Sequence, residues 1–286
     1  MTCTGQGGAG TVIFLHIHKT AGTTLHRVIE RQYQPEQIWT LDDQHTLDDL
    51  LRLSVAQRAQ IQMLRGHMIF GLHEYMPGPS SYFTLLREPV ERVISFFYFI
   101  RRNPHHYHFA PITSGNLTLK EFLELRQNNM MDNGQTRMLA GAQQYECPVG
   151  ECTPDLLEAA KRNLSESFSV VGLMERFDET LLLLRQAYGW RNVRYVRQNV
   201  TGSRPLKADL PPATLDLVAE CNQLDLELYE YASTLFDEQV QEQGPGFARQ
   251  VRLFQTVNRS LARLLYQDPK GYGQRVRHAL RQWLSS

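Results

Sequence analysis

The feature that most constrains the fold is a strand–turn–helix unit near the start of this 286-residue chain. It reads TVIFLHIHKTAGTTLHRVIE over residues 11–30. Val12 to His16 is a short run rich in β-branched and aromatic residues, which predicts a buried strand. Apolar residues then recur at helical spacing at Leu25, Val28 and Ile29. The residues between them, Lys19 to Thr24, are therefore predicted to form a strand-to-helix turn.

A second unit, SYFTLLREPVERVISFFYFIRR, repeats this pattern. Tyr82 to Leu86 predicts a strand, and Pro89 lies where proline is tolerated, in the first turn of a helix that runs to about Arg102. A third strand is predicted at Ser169 to Leu173, with a long helix after it. Strands that alternate with helices predict an α/β protein with a parallel sheet covered by helices on both faces.

The rest of the chain is predicted to be mostly helical. Helices are expected at residues 117–127, 153–164 and 212–236, a loop at 102–116, and one more strand at 192–199. After the Gly-Pro-Gly at 244–246, residues 247–286 carry eight Lys or Arg and one acidic residue. We therefore expect a main domain over residues 1–240 and a basic helical C-terminal extension over 241–286. The apolar residues of this extension recur at helical spacing: Val251, Phe254, Val257, Leu261 and Leu264. The extension is expected to pack on the domain, hold an anionic acceptor or touch a membrane surface.

Composition limits where such a protein works and what it binds. Lys plus Arg and Asp plus Glu both number 30, so no global field favours nucleic acid or an anionic membrane. The longest strongly apolar run, Val93 to Ile100, is far shorter than the roughly 20 residues of a membrane span. With no signal peptide visible, we expect a cytoplasmic protein whose four cysteines are free thiols. Cys147 and Cys152 would close a small disulfide loop in an oxidising compartment.

The first turn has the character of an anion site. Backbone N–H groups and the positive end of a helix meet there, Lys19 adds a charge, and threonines add hydroxyl donors. The ATP-binding pattern G-x-x-x-x-G-K-[ST] is absent, however, and a plain tight turn with an exposed lysine also fits. In the second unit, Arg87 ends the strand and Ser95 lies two helical turns further on, so both could meet a second phosphate. Arg92 and Arg101 are expected at the surface.

Together, FLHIHKTAGTTL and YFTLLREPVERVISFFYF resemble the sulfate-donor motifs of carbohydrate sulfotransferases of the 2-O and 6-O type. Such enzymes use 3′-phosphoadenosine-5′-phosphosulfate (PAPS). The resemblance continues in order to about residue 236 and implies a three-layer, P-loop-like fold. It implies that the 5′-phosphosulfate is bound by Lys19, Thr20, Ala21, Gly22, Thr23 and Thr24, and that the 3′-phosphate is bound by Arg87 and Ser95. One departure is His18, where many members have proline.

The resemblance also implies a catalytic base, His67 in RGHMIFG, which would take the proton of the acceptor hydroxyl. Imidazole suits that role because its ordinary pKa lies near neutral pH. His73 is the second choice and a candidate for substrate binding. The HHYH stretch at 105–108 is interpreted as solvated or substrate-facing in preference to a metal cluster.

Other candidates follow from looser matches. In DNGQTRMLAG, the family match suggests that Asn133, Gln135 and Arg137 contact the acceptor or support the site, and a helix N-cap explains the same residues equally well. A late loop, RQNVTGSRP, offers Arg197, Ser203 and Arg204 for the 3′-phosphate. Glu175 and Asp225 are expected in helix caps and ion pairs.

The sequence thus predicts a PAPS-dependent O-sulfotransferase that acts on a carbohydrate or glycolipid hydroxyl, with Lys19 and His67 as catalytic residues. No metal site, nucleic acid partner or membrane span is expected. The alternative is a catalytically silent nucleotide-binding regulator or scaffold of the same fold. A small-molecule kinase is disfavoured by the missing ATP loop.

Overall fold

Five parallel strands form the centre of the structure, a computed structural model that describes residues 10–195 and 205–266. In chain order the strands are β1 Thr11–Leu15, β2 Ile38–Leu41, β3 Met63–Gly66, β4 Ser80–Leu86 and β5 Phe168–Leu173. Their order across the sheet is β2-β3-β1-β4-β5, and each neighbouring pair is parallel. The three strands predicted at the positions of β1, β4 and β5 are confirmed, whereas β2 and β3 were not anticipated.

Helices account for most of the remaining described residues. They are α1 Gly22–Ile29, α2 Leu47–Arg52, α3 Val55–Arg58, α4 Pro89–Ile100, α5 Phe109–Ser114, α6 Leu119–Glu124, α7 Gly134–Ala140, α8 Ala142–Tyr145, α9 Pro154–Ser167, α10 Phe177–Tyr188, α11 Pro212–Glu220, α12 Gln223–Glu242 and α13 Phe247–Tyr266. Short 3-10 turns lie at Pro35–Gln37, Leu72–Tyr75, Asn129–Met131, Met174–Arg176 and Lys207–Asp209.

The sheet is covered on both faces. In the central strand β1, the successive residues Ile13, Phe14 and Leu15 have no exposed surface. Because successive side chains of a strand point to opposite faces, burial of all three requires a packed layer on each side. The predicted α/β architecture, a parallel sheet between helical layers, is confirmed.

The order of the strands makes β1 a topological switch point, where the connections on its two sides diverge and leave a crevice. From β1 the chain builds β2 and β3 on one side of that strand, then crosses to β4 and β5 on the other. In open α/β sheets, ligands bind at such a switch point, outside the carboxyl ends of the strands. The segments that follow β1, β3 and β4 begin there, and they carry Lys19, His67 and Arg87.

Two predictions about local structure were wrong. Residues 192–195 are irregular rather than a strand, because side chains that follow α1 take their carbonyl groups: Gln32 Nε2 donates to Asn192 O at 2.9 Å, and Arg31 Nη2 donates to Arg194 O at 2.5 Å. The remainder of that predicted strand, residues 196–199, lies outside the described residues. The predicted loop at 102–116 contains α5.

The helix predicted after residue 247 is present as α13, which packs against α10 and has buried residues at Phe247 and Val251. Val257, expected on its apolar face, is 38% exposed, while Asn258 is buried and accepts the Tyr195 N–H at 3.4 Å. The division into two domains at residue 240 stays a prediction. Within the described residues, no helix is both long and apolar enough to cross a lipid bilayer.

Candidate active site

The turn between β1 and α1 has an unusual backbone. Lys19 and Ala21 both adopt positive φ, at 72° and 65°, a region that non-glycine residues rarely occupy. A Cβ atom added at Gly22 would lie 1.9 Å from the His16 ring, so glycine is required at this position. Such strain persists where the surroundings enforce it, and it is concentrated at functional sites.

The six residues predicted to bind the phosphosulfate all lie in this turn or at the start of α1: Lys19, Thr20, Ala21, Gly22, Thr23 and Thr24. The first N–H groups of a helix have no acceptor within the helix, which makes its amino end attractive to an anion. The Thr20 hydroxyl donates to Ile17 O at 2.8 Å and is buried, so it stabilises the turn itself. Thr23 is exposed.

Arg87, at the carboxyl end of β4, lies against this turn. Its Nη1 donates to the carbonyl oxygen of Lys19 at 3.2 Å, and its Nη2 pairs with Glu91 at 3.3 Å. Ser95 lies half-buried in α4, one helix turn beyond Glu91. The structure thus brings the two predicted phosphate motifs together at the carboxyl ends of the adjacent strands β1 and β4.

His67 directly follows β3 and faces the same crevice. Its Nδ1 lies 2.7 Å from the carbonyl oxygen of His16. A carbonyl oxygen only accepts hydrogen bonds, so Nδ1 carries the proton, and in the neutral ring Nε2 has a lone pair. The His67 ring stacks on His18 with centroids 3.5 Å apart and on His16 at 4.3 Å, yet the residue keeps exposed surface.

Electrostatics keep these rings neutral. Burial lowers the pKa of His67, and the charge of Lys19 lowers it further, although the hydrogen bond to His16 opposes the shift. Burial and the neighbouring His67 lower the pKa of His18 to about 2. His16 likewise has a pKa well below the ordinary value because it is buried. His67 is therefore an unprotonated imidazole at neutral pH, as a proton acceptor must be.

Phe99 holds the Lys19 side chain. The Lys19 Nζ atom lies 4.2 Å from the centroid of the Phe99 ring, within the range of a cation–π contact. Phe99 belongs to α4, the helix of the second phosphate motif. Sequence reasoning missed both this ring and the His16 carbonyl, since an aromatic residue in a helix and a backbone oxygen carry no motif of their own.

Asn133, Gln135 and Arg137, suggested as acceptor contacts or as support for the site, all have buried side chains that are bonded inside the protein. Gln135 exchanges two hydrogen bonds with the backbone of Arg87, at 3.0 and 2.9 Å. Asn133 is the N-cap residue of α7, and its Oδ1 accepts the Leu224 N–H at 2.9 Å. Arg137 donates to Asp132 and to three carbonyl groups of the segment 145–148. Burial favours support of the site or helix capping over contact with an acceptor, and their roles stay a prediction.

Arg92 was expected at the surface and is fully buried, where it pairs with Asp225 at 3.4 Å and donates to Met130 O at 2.8 Å. Asp225 also accepts the N–H groups of Gln135 and Thr136, at 3.1 and 2.7 Å. The prediction that Asp225 serves a helix cap and an ion pair is confirmed. Glu175 accepts the N–H of Glu88, the N-cap residue of α4, at 3.1 Å.

His73 is not brought to the crevice. Its Nδ1 lies 3.1 Å from the Tyr82 hydroxyl, and Tyr82 is near the amino end of β4, whereas the crevice is at the carboxyl ends. The role of second-choice base or substrate ligand is therefore unsupported by its position. Arg197, Ser203 and Arg204 lie outside the described residues.

The structure also bears on a possible metal site and on the cysteine pair. In the segments that the structure describes, no three His, Cys, Asp or Glu side chains gather in a way that could hold a metal ion. Cys147 and Cys152 are free, with their Sγ atoms 3.4 Å apart.

Comparison with known proteins gives one consistent result. The profile of the galactose-3-O-sulfotransferase family matches residues 4–284. Heparan-sulfate 6-O-sulfotransferase 1-B of Danio rerio is 26% identical over 82% of this chain and 68% of its own length. Galactose-3-O-sulfotransferase 3 of Mus musculus is 25% identical over 90% of this chain, which spans 63% of that relative. Mouse sulfotransferase SULT7A1 complexed with PAP superposes with a TM-score of 0.36 at 13% identity, covering 96% of this chain and 89% of that one.

The protein is thus a PAPS-dependent carbohydrate sulfotransferase, and the resemblance seen in the sequence is confirmed. In particular, the chain belongs to the galactose-3-O-sulfotransferase family.

Proposed function

We propose that this protein transfers a sulfuryl group from PAPS to a sugar hydroxyl with His67 as the general base. The observation that carries the assignment is the 2.7 Å contact between His67 Nδ1 and the carbonyl oxygen of His16. It fixes the tautomer and the ring plane, so that the Nε2 lone pair is held ready for a proton. A hydrogen bond from the other ring nitrogen is the usual way of setting this choice.

The residues of the crevice fit the donor. A turn at positive φ, a glycine without room for a side chain and a helix amino end together suit a phosphate that approaches the backbone closely. Lys19 would hold the 5′-phosphosulfate end, and Arg87 with Ser95 would hold the 3′-phosphate. The Arg87 guanidinium donates a hydrogen bond to the Lys19 carbonyl, which links the two phosphate motifs directly. Gln135 in turn holds the backbone of Arg87 through two hydrogen bonds.

The chemistry follows from these positions. When bound, PAPS supplies an activated sulfuryl group. The acceptor oxygen would attack the sulfur while the bond from sulfur to the bridging phosphate oxygen breaks, releasing adenosine 3′,5′-bisphosphate. His67 Nε2 accepts the proton of the acceptor hydroxyl, which a base of lowered pKa can do without first losing a proton. The Lys19 ammonium is placed to offset negative charge that develops on the phosphate side, the kind of preorganised stabilisation that contributes strongly to catalysis. Arg87 and the amino end of α1 bind the phosphate groups of the donor and orient it.

For the acceptor we propose a sugar hydroxyl of a polysaccharide or glycolipid. Two groups of relatives support this class, since one is named for heparan sulfate and the other for galactose. Contacts of Arg197, Ser203 and Arg204 with the 3′-phosphate, and a cytoplasmic location, stay predictions.

The test is a paired measurement on His67→Ala. We expect adenosine 3′,5′-bisphosphate to bind with nearly wild-type affinity, because the base acts on the acceptor. Sulfate transfer to a carbohydrate panel should fall by about 10²–10⁴-fold, the usual contribution of a positioned general base. His73→Ala is the matched control and should keep wild-type transfer.

Two results would contradict the proposal. Wild-type transfer by His67→Ala would remove the base assignment. If the wild-type protein binds the bisphosphate but transfers sulfate from labelled PAPS to no carbohydrate, the silent nucleotide-binding regulator is the better description.

A further inference from the structure

A series of aromatic rings leads outward from the catalytic histidine. His18, stacked on His67, lies 5.5 Å from Phe96 in α4. Phe96 in turn contacts His106 edge-on at 5.8 Å, and Phe99, the ring beneath Lys19, contacts the same histidine at 6.2 Å. His106 belongs to the segment between α4 and α5. This segment therefore borders the active site on the side of His18 and Lys19.

Tyr107 ends this series and faces solvent. It is 72% exposed, a large fraction for an aromatic side chain. Its ring nevertheless packs against two neighbouring rings, that of His106 at 4.7 Å and that of His108 at 4.0 Å between centroids. His108 is buried and packs edge-on against Phe122 of α6, which anchors the arrangement to the domain. A rigid exposed ring loses little conformational entropy on binding, so it makes an efficient contact surface.

The surface formed by His106 and Tyr107, which we call the aromatic shelf, is neutral. Partial burial lowers the pKa of His106, and a tyrosine phenol ionises only at about pH 10, so neither side chain is charged near pH 7. Burial also lowers the pKa of His108 behind them. Flat neutral rings suit the C–H face of a sugar better than a sulfate or carboxylate group, which would need a cation or several N–H donors.

Resting on the carbohydrate acceptor of the proposed function, we propose that the aromatic shelf binds a neutral pyranose unit of an oligosaccharide acceptor. Three rings, those of His18, Phe96 and His106, stand between His67 and Tyr107 in the series. The unit that stacks on Tyr107 is therefore a different sugar from the one that reacts at His67. The enzyme accordingly prefers an acceptor several sugars long.

The experiment compares acceptor lengths. β-Galactosyl-terminated oligosaccharides and heparosan oligosaccharides, each of two and six units, serve as probes with the wild type, Tyr107→Ala and Tyr107→Phe. The control is Tyr75→Ala, which removes a 41%-exposed tyrosine in the Leu72–Tyr75 turn, beside His73. For Tyr107→Ala we expect the KM of the accepted six-unit probe to rise about tenfold, the loss of one aromatic stacking contact. The difference in KM between the two-unit and the six-unit probe should nearly disappear.

Further readouts separate the alternatives. Tyr107→Phe should retain the length preference, and bisphosphate affinity should be unchanged in Tyr107→Ala. Three results would overturn the proposal that the aromatic shelf binds a sugar. They are an unchanged KM of Tyr107→Ala for the six-unit probe, an equal rise in KM at both lengths, and an equal effect of Tyr75→Ala. Direct binding of the unmodified six-unit probes, followed by calorimetry, is measured as well. If the wild type transfers no sulfate, the proposed function fails, while a tenfold affinity loss in Tyr107→Ala would still support the shelf and no loss would refute it.

Discussion

At the scale of single residues, the site depends on keeping an imidazole neutral and fixed. His67 is oriented by the backbone carbonyl of His16, and His18 covers its ring at 3.5 Å. His18 stands where many members of the resembled type have proline, so this chain places a second ring against His67. The ring of His18 stays uncharged because burial lowers its pKa to about 2. Stacked neutral rings restrict His67 without adding a repulsive charge beside Lys19.

Lys19→Ala is expected to slow turnover more than it weakens donor binding. In the proposed mechanism the lysine offsets charge that grows in the transition state, so its removal should lower kcat by about 10²–10³-fold, as for one preorganised donor. Steady-state kinetics with PAPS, together with bisphosphate calorimetry, would measure both effects. Lys120→Ala, which removes an exposed lysine of α6 paired with Glu124, is the control. Normal turnover by Lys19→Ala would mean that the turn has another purpose.

At the scale of elements, two strand–turn–helix units are joined by a third element. The amino end of α7 carries Gln135, which holds the backbone of Arg87, and Asp225 of α12 caps that same end. Asp225 also neutralises Arg92, which is buried in α4. Arg92 of α4, the amino end of α7 and Asp225 of α12 thus form one polar connection beneath Arg87.

Sequence patterns predicted the elements better than the connections among them. The β1 and β4 units were predictable because apolar periodicity and a proline in the first helical turn are local signals. The burial of Arg92 could not be predicted, because an arginine between apolar residues of a helix also fits a surface position. Its partner Asp225 lies 133 residues away in sequence, and only the folded structure brings the two together. The aromatic series from His67 to Tyr107 depends in the same way on contacts between distant segments. The roles of Lys19, Arg87 and His67 came from the family resemblance, and their proximity came from strand order.

Helix α13 gives a prediction with an internal control. Val251 is buried against the domain, whereas Leu253, two residues later, is 60% exposed. Val251→Asp buries an unpaired carboxylate and should lower the free energy of unfolding by about 2–4 kcal/mol. Leu253→Asp should change it by less than about 0.5 kcal/mol. Urea unfolding of both variants would measure the difference. Equal, small effects would indicate that α13 does not stabilise the domain and leave it free for another role.

At the scale of the whole molecule, topology and charge work together. The strand order places the ends of β1, β3 and β4 side by side at the switch point, so that residues far apart in sequence share one crevice. The chain as a whole has no net charge, so in the proposed function the attraction for a phosphorylated donor has to come from local groups, Lys19, Arg87 and the start of α1. Concentrating that attraction in one crevice leaves the neutral shelf beside it available to a sugar.

The buried histidines should make the fold sensitive to acid. In the folded state the pKa of His26 is lowered to about 4 and that of His18 to about 2, while the unfolded chain takes up these protons near the ordinary value of about 6.5. Below that pH the unfolded state binds more protons, so stability is lost as the pH falls from about 6.5 toward 4. Each such group contributes up to about 1.4 kcal/mol per pH unit, and His26 alone up to about 2 kcal/mol at pH 5.

Urea unfolding at pH 7.5, 6 and 5 would measure this loss. His18→Phe should retain the stacked ring and remove one titrating group, so its stability should fall less steeply between pH 6.5 and 5 than that of the wild type. His105→Gln, which removes an exposed histidine of the α4–α5 segment, is the matched control. A wild-type stability that stays constant down to pH 5 would contradict the depressed pKa values. Protonation of His67, the proposed base, should also remove activity on the acid side, and because its pKa is lowered this loss should lie below the ordinary value of about 6.5.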